Sequence, residues 1–240
     1  AAFLQIQNGW SNHDMQTVRH FISDGNLERF SLQFLEQQDM GYRDQIAHVD
    51  VRGMNVVERV NRHPFEVITV LVAASAVSYR VSIESGAYLT KRRLPERFTE
   101  YWTFIRRKSA AANSEKLGLI EGFCPNCGAS LQINQSQNCA SCDAFLRSGE
   151  YDWVLSEITQ ATVWKPRVKT HDAMARRYRE RSDPDFNMQH LEDRASVIFW
   201  RIATADRLGQ VTPMMKVATK DLCEEIQREY DEQRIRGSSP

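Results

Sequence analysis

Two cysteine motifs constrain this 240-residue chain more than any other part of its sequence. Cys124 and Cys127 form one CxxC motif, Cys139 and Cys142 form a second, and eleven residues separate the two. A CxxC turn lets two sulfurs point at one metal ion from the same side, and two such turns complete a tetrahedron. The spacing therefore predicts a zinc ribbon that holds one structural Zn²⁺ through four thiolates.

Disulfides and a redox-active CxxC are the alternatives for these cysteines. A redox motif needs an adjoining thioredoxin-like βαβ unit, and the surrounding sequence offers none. The chain has five cysteines, one of them the isolated Cys223, so it is not a disulfide-dense secreted scaffold, and we expect a reducing compartment. Four thiolates leave no open coordination position, so the metal is expected to organise a hairpin and not to catalyse.

The composition is that of an ordinary globular chain with no overall charge. The 31 basic and 31 acidic residues cancel, so binding to nucleic acid or to an anionic membrane would need a local basic patch. The longest apolar run, 67–77, falls well short of the roughly 18 residues that indicate a spanning helix. The first residues contain neither Met nor a secretory signal, and we expect them to lie inside a helix of a fragment.

The first forty residues follow a helical pattern. Apolar residues recur at helical spacing from Phe3 onwards. We expect Ser11 to cap a second short helix and the Asp24-Gly25 pair to break it. Gly41 is expected to end a third helix.

After residue 42 the pattern changes to alternation, which is typical of strands. We expect strands near 47–52, 65–83, 98–104 and 153–158, with the odd-numbered apolar residues of 65–83 on one face. Helices followed by antiparallel strands predict an α+β domain with the helices on one face of the sheet. The zinc ribbon is an insertion at 120–149, and we expect it to close on itself, so that loss of a thiolate leaves the sheet folded.

Several short motifs occur together in this chain. They are Trp10, Ser23-Asp24-Gly25, Glu28-Arg29-Phe30, the strand from Glu100 through Trp-Thr-Phe to Arg106, the Cys-Pro-Asn-Cys-Gly ribbon, and Glu150 to Val154. In this combination residues 1–163 resemble a bacterial family of zinc-ribbon-containing relatives of the Tim44-like domain. That domain belongs to the anchor of the import motor at the mitochondrial inner membrane. The strand joined to the ribbon is the most specific part of the resemblance.

The resemblance implies a fold and a setting. The fold is a cystatin-like cone, similar to nuclear transport factor two, in which helices pack on a curved antiparallel sheet around a hydrophobic hollow. The setting is the cytoplasmic face of the inner membrane, where the chain is peripheral or is anchored by sequence outside this fragment. The mitochondrial domain lacks the ribbon, so the import motor is not carried over as a partner.

A basic segment follows the last predicted strand. We predict that seven cations contact anionic lipid or a protein partner: Lys165, Arg167, Lys169, Arg176, Arg177, Arg179 and Arg181. A solvated linker over 164–184 is the alternative. Nucleic acid is disfavoured, because the ribbon loop 134–137 is uncharged and no series of stacking aromatic residues accompanies the cations.

A helical segment, 185–230, follows the linker, and a polar tail, 231–240, ends the chain. Five positions of this segment stand 196 residues after five positions of the N-terminal helices. The pairs are Phe3 and Phe199, Ile6 and Ile202, Val18 and Met214, Arg19 and Met215, and Ile22 and Ala218. The segment is either an unrelated amphipathic helix pair or the start of a second similar domain whose helical face needs a cover. The first domain, further sequence or a second chain could provide that cover, the last as a homo-oligomer.

These observations favour a non-enzymatic, membrane-associated scaffold or a lipid- or protein-binding module that carries a structural zinc ribbon. The alternative is a small-molecule-binding or catalytic pocket of the same fold. Its acid–base candidates are His48 and Asp50, which share one face of the first strand, although such residues are usually the solvated side of a strand.

Overall fold

The computed structural model describes residues 1–62, 65–90, 94–108, 119, 122–131, 138–144, 146, 149, 151–166, 169–183, 186 and 188–236. Helices open and close the chain, and the strands lie between them. The helices are α1 (Ala2–Asn12), a 3₁₀ helix (Gln16–Phe21), α2 (Asp24–Asp39), α3 (Lys169–Arg181), α4 (Met188–Leu208), a 3₁₀ helix (Thr212–Lys216) and α5 (Lys220–Ile235). The predicted helical segment therefore continues to Ile235, past its expected end at residue 230.

Within the described residues, four antiparallel strands form one sheet in the order β1-β2-β3-β4. The strands are β1 (Tyr42–Arg62), β2 (Phe65–Ser82), β3 (Glu96–Arg107) and β4 (Val154–Gln160). The pairing register of β1 shifts at three places, and such bulges bend a strand and increase its twist. The predicted α+β architecture is confirmed: N-terminal helices pack on an antiparallel sheet, and further helices follow it.

Aromatic side chains join α1 to the sheet. The ring of Phe3 lies 5.2 Å from that of Trp102 and 6.4 Å from that of Phe98, both on β3. Trp10, at the other end of α1, packs against Phe30 and Phe34 of α2. The space between α1 and β3 is thus filled by large side chains, and burying each contributes on the order of 2 kcal/mol.

The predicted roles of two helix boundaries are wrong. Ser11 lies inside α1, where its hydroxyl accepts a hydrogen bond from the Ile46 N–H at 3.0 Å and so joins the helix to β1. Ser23 is the cap that matters, because its side chain accepts from the Asn26 N–H at the start of α2. The Asp24-Gly25 pair consequently begins a helix and does not break one.

The expectation that the odd-numbered residues of β2 form its one apolar face holds for only part of the strand. Phe65, Val67 and Thr69 are buried, but further along Val72 and Ala74 are buried as well. Both faces of β2 are covered, because α1 packs on one face and the ribbon end of the chain reaches the other. Gly149 lies so close to the second face that a Cβ on it would be 3.3 Å from the Phe65 ring.

Helix α4 packs on α2 through polar contacts. The Asp193 carboxylate accepts hydrogen bonds from the Ser23 hydroxyl at 2.7 Å and from the Gly25 N–H at 2.9 Å. It occupies the position that a side chain on residue 25 would need. At the other end of the contact, Glu36 accepts a bond from the Thr204 hydroxyl at 2.7 Å. The first helical layer therefore covers one face of α4. The division of the chain into separate domains remains a prediction.

Candidate metal centre

The four cysteines of the two CxxC motifs come together between β3 and β4. Their Sγ atoms all lie within 4.8 Å of one another, and all four are free thiols. The Sγ atoms of Cys124 and Cys142 are 3.8 Å apart, and those of Cys127 and Cys139 are 3.7 Å apart. The structure thus brings together all four residues that the sequence selects as metal ligands.

The two turns have the same backbone geometry. In the first, the Cys124 N–H donates to the Ala129 carbonyl at 2.8 Å, and the Gly128 N–H donates to the Cys124 carbonyl at 2.7 Å. In the second, Cys139 and Ala144 form the equivalent bond at 2.9 Å, and the Asp143 N–H closes the turn at 2.8 Å. The fifth residue of each turn has a positive φ, 80° for Gly128 and 57° for Asp143. Asp is among the residues that tolerate this left-handed conformation.

The spacing of the sulfurs fits a tetrahedral ion. Bonds of about 2.3 Å from zinc to sulfur give a tetrahedron whose edges are about 3.8 Å long. The separations of 3.8 Å between Cys124 and Cys142 and 3.7 Å between Cys127 and Cys139 match that edge. These four residues can therefore hold a metal ion, and with four protein ligands the site leaves no position for a reacting water.

The surroundings of the sulfurs shift the pKa values of Cys124 and Cys142 in opposite directions. Burial raises the pKa of Cys124 to about 12 in the metal-free form, so an ion must displace its proton. The Ala144 N–H donates to Cys142 and lowers the pKa of that thiol to about 7. The Asn126 amide also donates to the Cys142 sulfur, at 3.4 Å. Sequence reasoning missed Asn126, although its place inside the first CxxC motif was the available signal.

The ribbon shares the core of the main domain, contrary to the expectation that it closes on itself. Cys124, Cys139 and Leu146 belong to the same buried cluster as Phe21 and Leu155. Backbone contacts add to this packing. The Arg107 N–H at the end of β3 donates to the Gly149 carbonyl at 2.6 Å, and the Leu119 N–H donates to Asp152. We therefore expect a change at the metal centre to affect the packing of the sheet.

Helix α3 carries most of the predicted basic contact residues. Arg176, Arg177 and Arg181 are exposed on it, Arg179 is half-buried, and Lys165 is exposed before the helix. Arg167, the Lys169 side chain and the ribbon loop 134–137 lie outside the described residues. The helix also exposes Met174 and Tyr178. Whether these cations contact lipid or a partner remains a prediction.

The acid–base candidates His48 and Asp50 are both exposed on β1. Away from them, a cavity of about 380 Å³ lies between α2, β4 and α4, lined among others by Arg29 and Asp193. Burial raises the pKa of Asp193, but its carboxylate is engaged by Ser23 and Gly25. Arg29 is engaged as well, because it donates to the Ile158 carbonyl at 3.3 Å and lies 4.7 Å from the Trp200 ring.

The fold places α1, α2 and the first three strands in the N-terminal half of the chain. A scan against protein families matches this half, residues 1–117, to the model described as the Tim44-like domain. Residues 1–117 are similar to the Tim44-like domain. The match confirms the resemblance to the Tim44-like domain for α1, α2 and β1 to β3, and it ends before the first cysteine of the ribbon. The resemblance to bacterial relatives that carry the ribbon remains a prediction.

The Tim44-like domain suggests a membrane-associated or protein-binding role for this chain. No curated protein matches the sequence. Among the described residues, no helix combines the length and the apolar character needed to cross a bilayer.

Proposed function

We propose that this chain is a non-enzymatic scaffold, or a lipid- or protein-binding module, that works at the cytoplasmic face of the inner membrane. It would be peripheral there or anchored by sequence beyond residues 1–240. The match of residues 1–117 to the Tim44-like domain carries this proposal. Self-association through the helical segment is part of it, because that segment exposes Phe199 and Met215.

Zinc is the ion that we propose for the four-cysteine site, as one structural Zn²⁺ per chain. A set of four thiolates in tetrahedral geometry selects zinc or an iron–sulfur cluster. The sulfur separations of 3.7 and 3.8 Å suit one ion at the centre. The Asn126 amide and the Ala144 N–H would neutralise part of the negative charge of such a centre.

Helix α3 is the part of the chain that we propose for contact with anionic lipid headgroups. Met174, Arg177, Tyr178 and Arg181 follow the spacing of one helix face, and all four are exposed. Burial of exposed apolar side chains and attraction of cations to anionic lipids are the two contributions by which a helix binds in the plane of a membrane surface. Each cation near such a surface contributes about 1 kcal/mol at low salt.

Vesicle binding tests this role. The chain is mixed with vesicles of phosphatidylcholine containing phosphatidylserine, and with pure phosphatidylcholine vesicles, and the bound fraction is measured by flotation. We expect weak binding to the anionic vesicles that disappears in high salt, because the Debye length falls from about 8 Å at physiological salt to about 3 Å at 1 M. The triple variant Arg176→Glu, Arg177→Glu and Arg179→Glu should lose this binding.

A matched control separates the patch from net charge. Arg59→Glu, Arg97→Glu and Arg194→Glu change the net charge by the same amount at exposed positions outside α3. This control variant should bind anionic vesicles nearly as well as the parent. If the α3 variant binds as well as the parent, or if both variants lose binding equally, α3 is a solvated linker and the lipid role is wrong.

The alternative function, a small-molecule or catalytic pocket, has the cavity between α2, β4 and α4 as its specific candidate. Asp193 lines this cavity, but its carboxylate already accepts two hydrogen bonds from α2. It therefore serves to join two helices more readily than to move a proton. This favours the scaffold over the pocket.

A further inference from the structure

The C-terminal helices repeat the order of the N-terminal helices, and several of their boundaries recur at a constant offset. Helix α1 ends at Asn12 and α4 at Leu208, 196 positions later. The 3₁₀ helices begin at Gln16 and Thr212, again 196 positions apart. Helices α2 (Asp24–Asp39) and α5 (Lys220–Ile235) keep the same offset at both ends, and both have 16 residues.

The turns and caps repeat as well. Ser23 and Thr219, 196 positions apart, cap α2 and α5, and each accepts a bond from the N–H three residues later. Between the helices, the Asp14 N–H donates to the Gly9 carbonyl, and the Gln210 N–H donates to the Ala205 carbonyl. Independent helix pairs would not share so many boundaries, so α4, the second 3₁₀ helix and α5 form a copy of the N-terminal helical unit.

The two copies differ in what covers one face. In the N-terminal unit this face binds the sheet: Phe3 contacts Trp102, and the Asn26 amide donates to the Leu155 carbonyl on β4. Phe3 is 3% exposed and Asn26 is 6% exposed. The equivalent residues of the C-terminal unit are Phe199, which is 62% exposed, and Leu222, which is 43% exposed. Ile202, the equivalent of the buried Ile6, is exposed too. We call Phe199, Ile202 and Leu222 the apolar helical face.

The sheet has an uncovered area of the kind that the N-terminal unit binds. Val56 pairs with Val70, which pairs with Trp102, so these side chains lie on the face that α1 contacts. Met54 pairs with the buried Val72 on the same face. Both Met54 and Val56 are nevertheless exposed, because they lie at the β1 edge beyond the helices. We call Met54 and Val56 the β1 apolar surface.

We propose that the apolar helical face of one copy of this chain docks on the β1 apolar surface of a second copy. In the N-terminal unit the equivalent helical face binds the apolar face of an antiparallel sheet. The chain exposes a second apolar sheet surface of this kind at β1. Exchange of the two contacts gives a closed dimer with two-fold symmetry, in which each contact occurs twice. This inference rests on the self-association part of the proposed function and is independent of lipid and of zinc.

Analytical ultracentrifugation of the full chain tests the docking. Three double variants are compared with the parent over a range of concentrations. The helical variant is Phe199→Gln with Ile202→Gln, the sheet variant is Met54→Thr with Val56→Thr, and the control is Leu4→Gln with Leu35→Gln, at exposed apolar positions of α1 and α2. We expect the parent and the control to be dimers. The helical and sheet variants should each be monomers with unchanged circular dichroism.

Mixing the two monomeric variants identifies the pairing. The helical variant keeps its β1 apolar surface and the sheet variant keeps its apolar helical face, so the mixture should regain one of the two contacts and form a weaker heterodimer. A sheet variant that remains a dimer, beside a monomeric helical variant, would show contact between two helical faces and overturn the docking on β1. A parent chain that stays monomeric throughout would overturn self-association as well, while leaving vesicle binding and metal content to be judged by their own experiments.

Discussion

At the scale of single residues, two threonines form a polar contact in the interior of the sheet. Thr69 and Thr103 lie opposite each other on β2 and β3, and their hydroxyl oxygens are 3.1 Å apart. Both side chains are fully buried. A buried hydroxyl without a partner costs about 1–3 kcal/mol, whereas removing both partners together can be nearly neutral.

The threonine pair gives a prediction about coupling. Thr69→Val should lower the free energy of unfolding by about 1–2 kcal/mol, because it leaves the Thr103 hydroxyl without this partner. Thr103→Val should cost less, because the Thr69 hydroxyl still donates to the Glu58 carboxylate at 3.4 Å. The double variant should lose less than the sum of the two, with a coupling energy of about 1 kcal/mol. Urea denaturation measures all three. Thr162→Val, at an exposed turn position, is the neutral control. Strictly additive losses would show that the two hydroxyls do not satisfy each other.

At the scale of elements, the repeated helices allow two caps to be compared within one chain. Ser23 caps α2, and its hydroxyl also donates to the Asp193 carboxylate. Thr219 is the equivalent cap of α5. Loss of a cap costs about 1 kcal/mol, and loss of a bond to a charged group costs about 1.5–3 kcal/mol more.

Ser23→Ala should therefore destabilise the chain by clearly more than Thr219→Ala. The expected losses in the free energy of unfolding are about 2–4 kcal/mol and about 1 kcal/mol. Denaturant titration of the two variants gives the difference directly. The variant Ser23→Ala combined with Asp193→Asn should lose less than the two single changes together, since they share one hydrogen bond. Equal losses from the two caps would mean that the bond to Asp193 adds nothing.

Several elements could be predicted from the sequence because their signals are local. The CxxC spacing and the alternation in the strands each depend on residues that are close together in the sequence. They gave the order of helices, sheet and ribbon, and the four cysteines that converge.

Other features could not be predicted because distant contacts decide them. Ser11 and Ser23 both suit a helix cap, and only the position of Ile46 against α1 draws the Ser11 hydroxyl away from that role. Gly25 looks like a helix breaker until Asp193 of α4 is seen to occupy its side-chain position. The change of parity along β2 follows from layers packed on both of its faces, which no alternation within the strand could reveal.

At the scale of the whole molecule, the metal centre and the sheet share one core. Cys124 and Cys139 lie in the same buried cluster as Phe65 and Trp102. An ion that binds only the folded chain adds stability by mass action, about 4 kcal/mol when its concentration is 1,000 times the dissociation constant. That stability reaches the sheet, because no separate core isolates the ribbon among the described residues.

Removal of the metal should therefore lower the stability of the whole N-terminal domain. We expect one zinc per chain in protein purified without added metal. A strong chelator should lower the midpoint of thermal unfolding by about 10 °C, at about 2–4 °C per kcal/mol for a chain of this size. Mass spectrometry measures the zinc content, and calorimetry measures the midpoint of thermal unfolding.

Cys127→Ser should reproduce the effect of the chelator, and Cys223→Ala, at a buried cysteine far from the site in sequence, should keep the zinc. Purified protein that contains no zinc and in which the four cysteines form two disulfides would contradict the metal centre. A chelated chain whose sheet unfolds at an unchanged temperature would show that the ribbon is an independent unit.

The irregular register of β1 has a consequence for how copies of the chain behave when crowded. This strand is 21 residues long and is the outermost of the described strands on its side. A straight edge of that length is a template to which strands of other chains add, and the growth that follows leads to fibres. The shifts at 47–50, 51–53 and 56–58, together with the left-handed backbone of His48, break the edge into short pieces. Crowded copies are thereby kept from joining strand to strand into an insoluble filament.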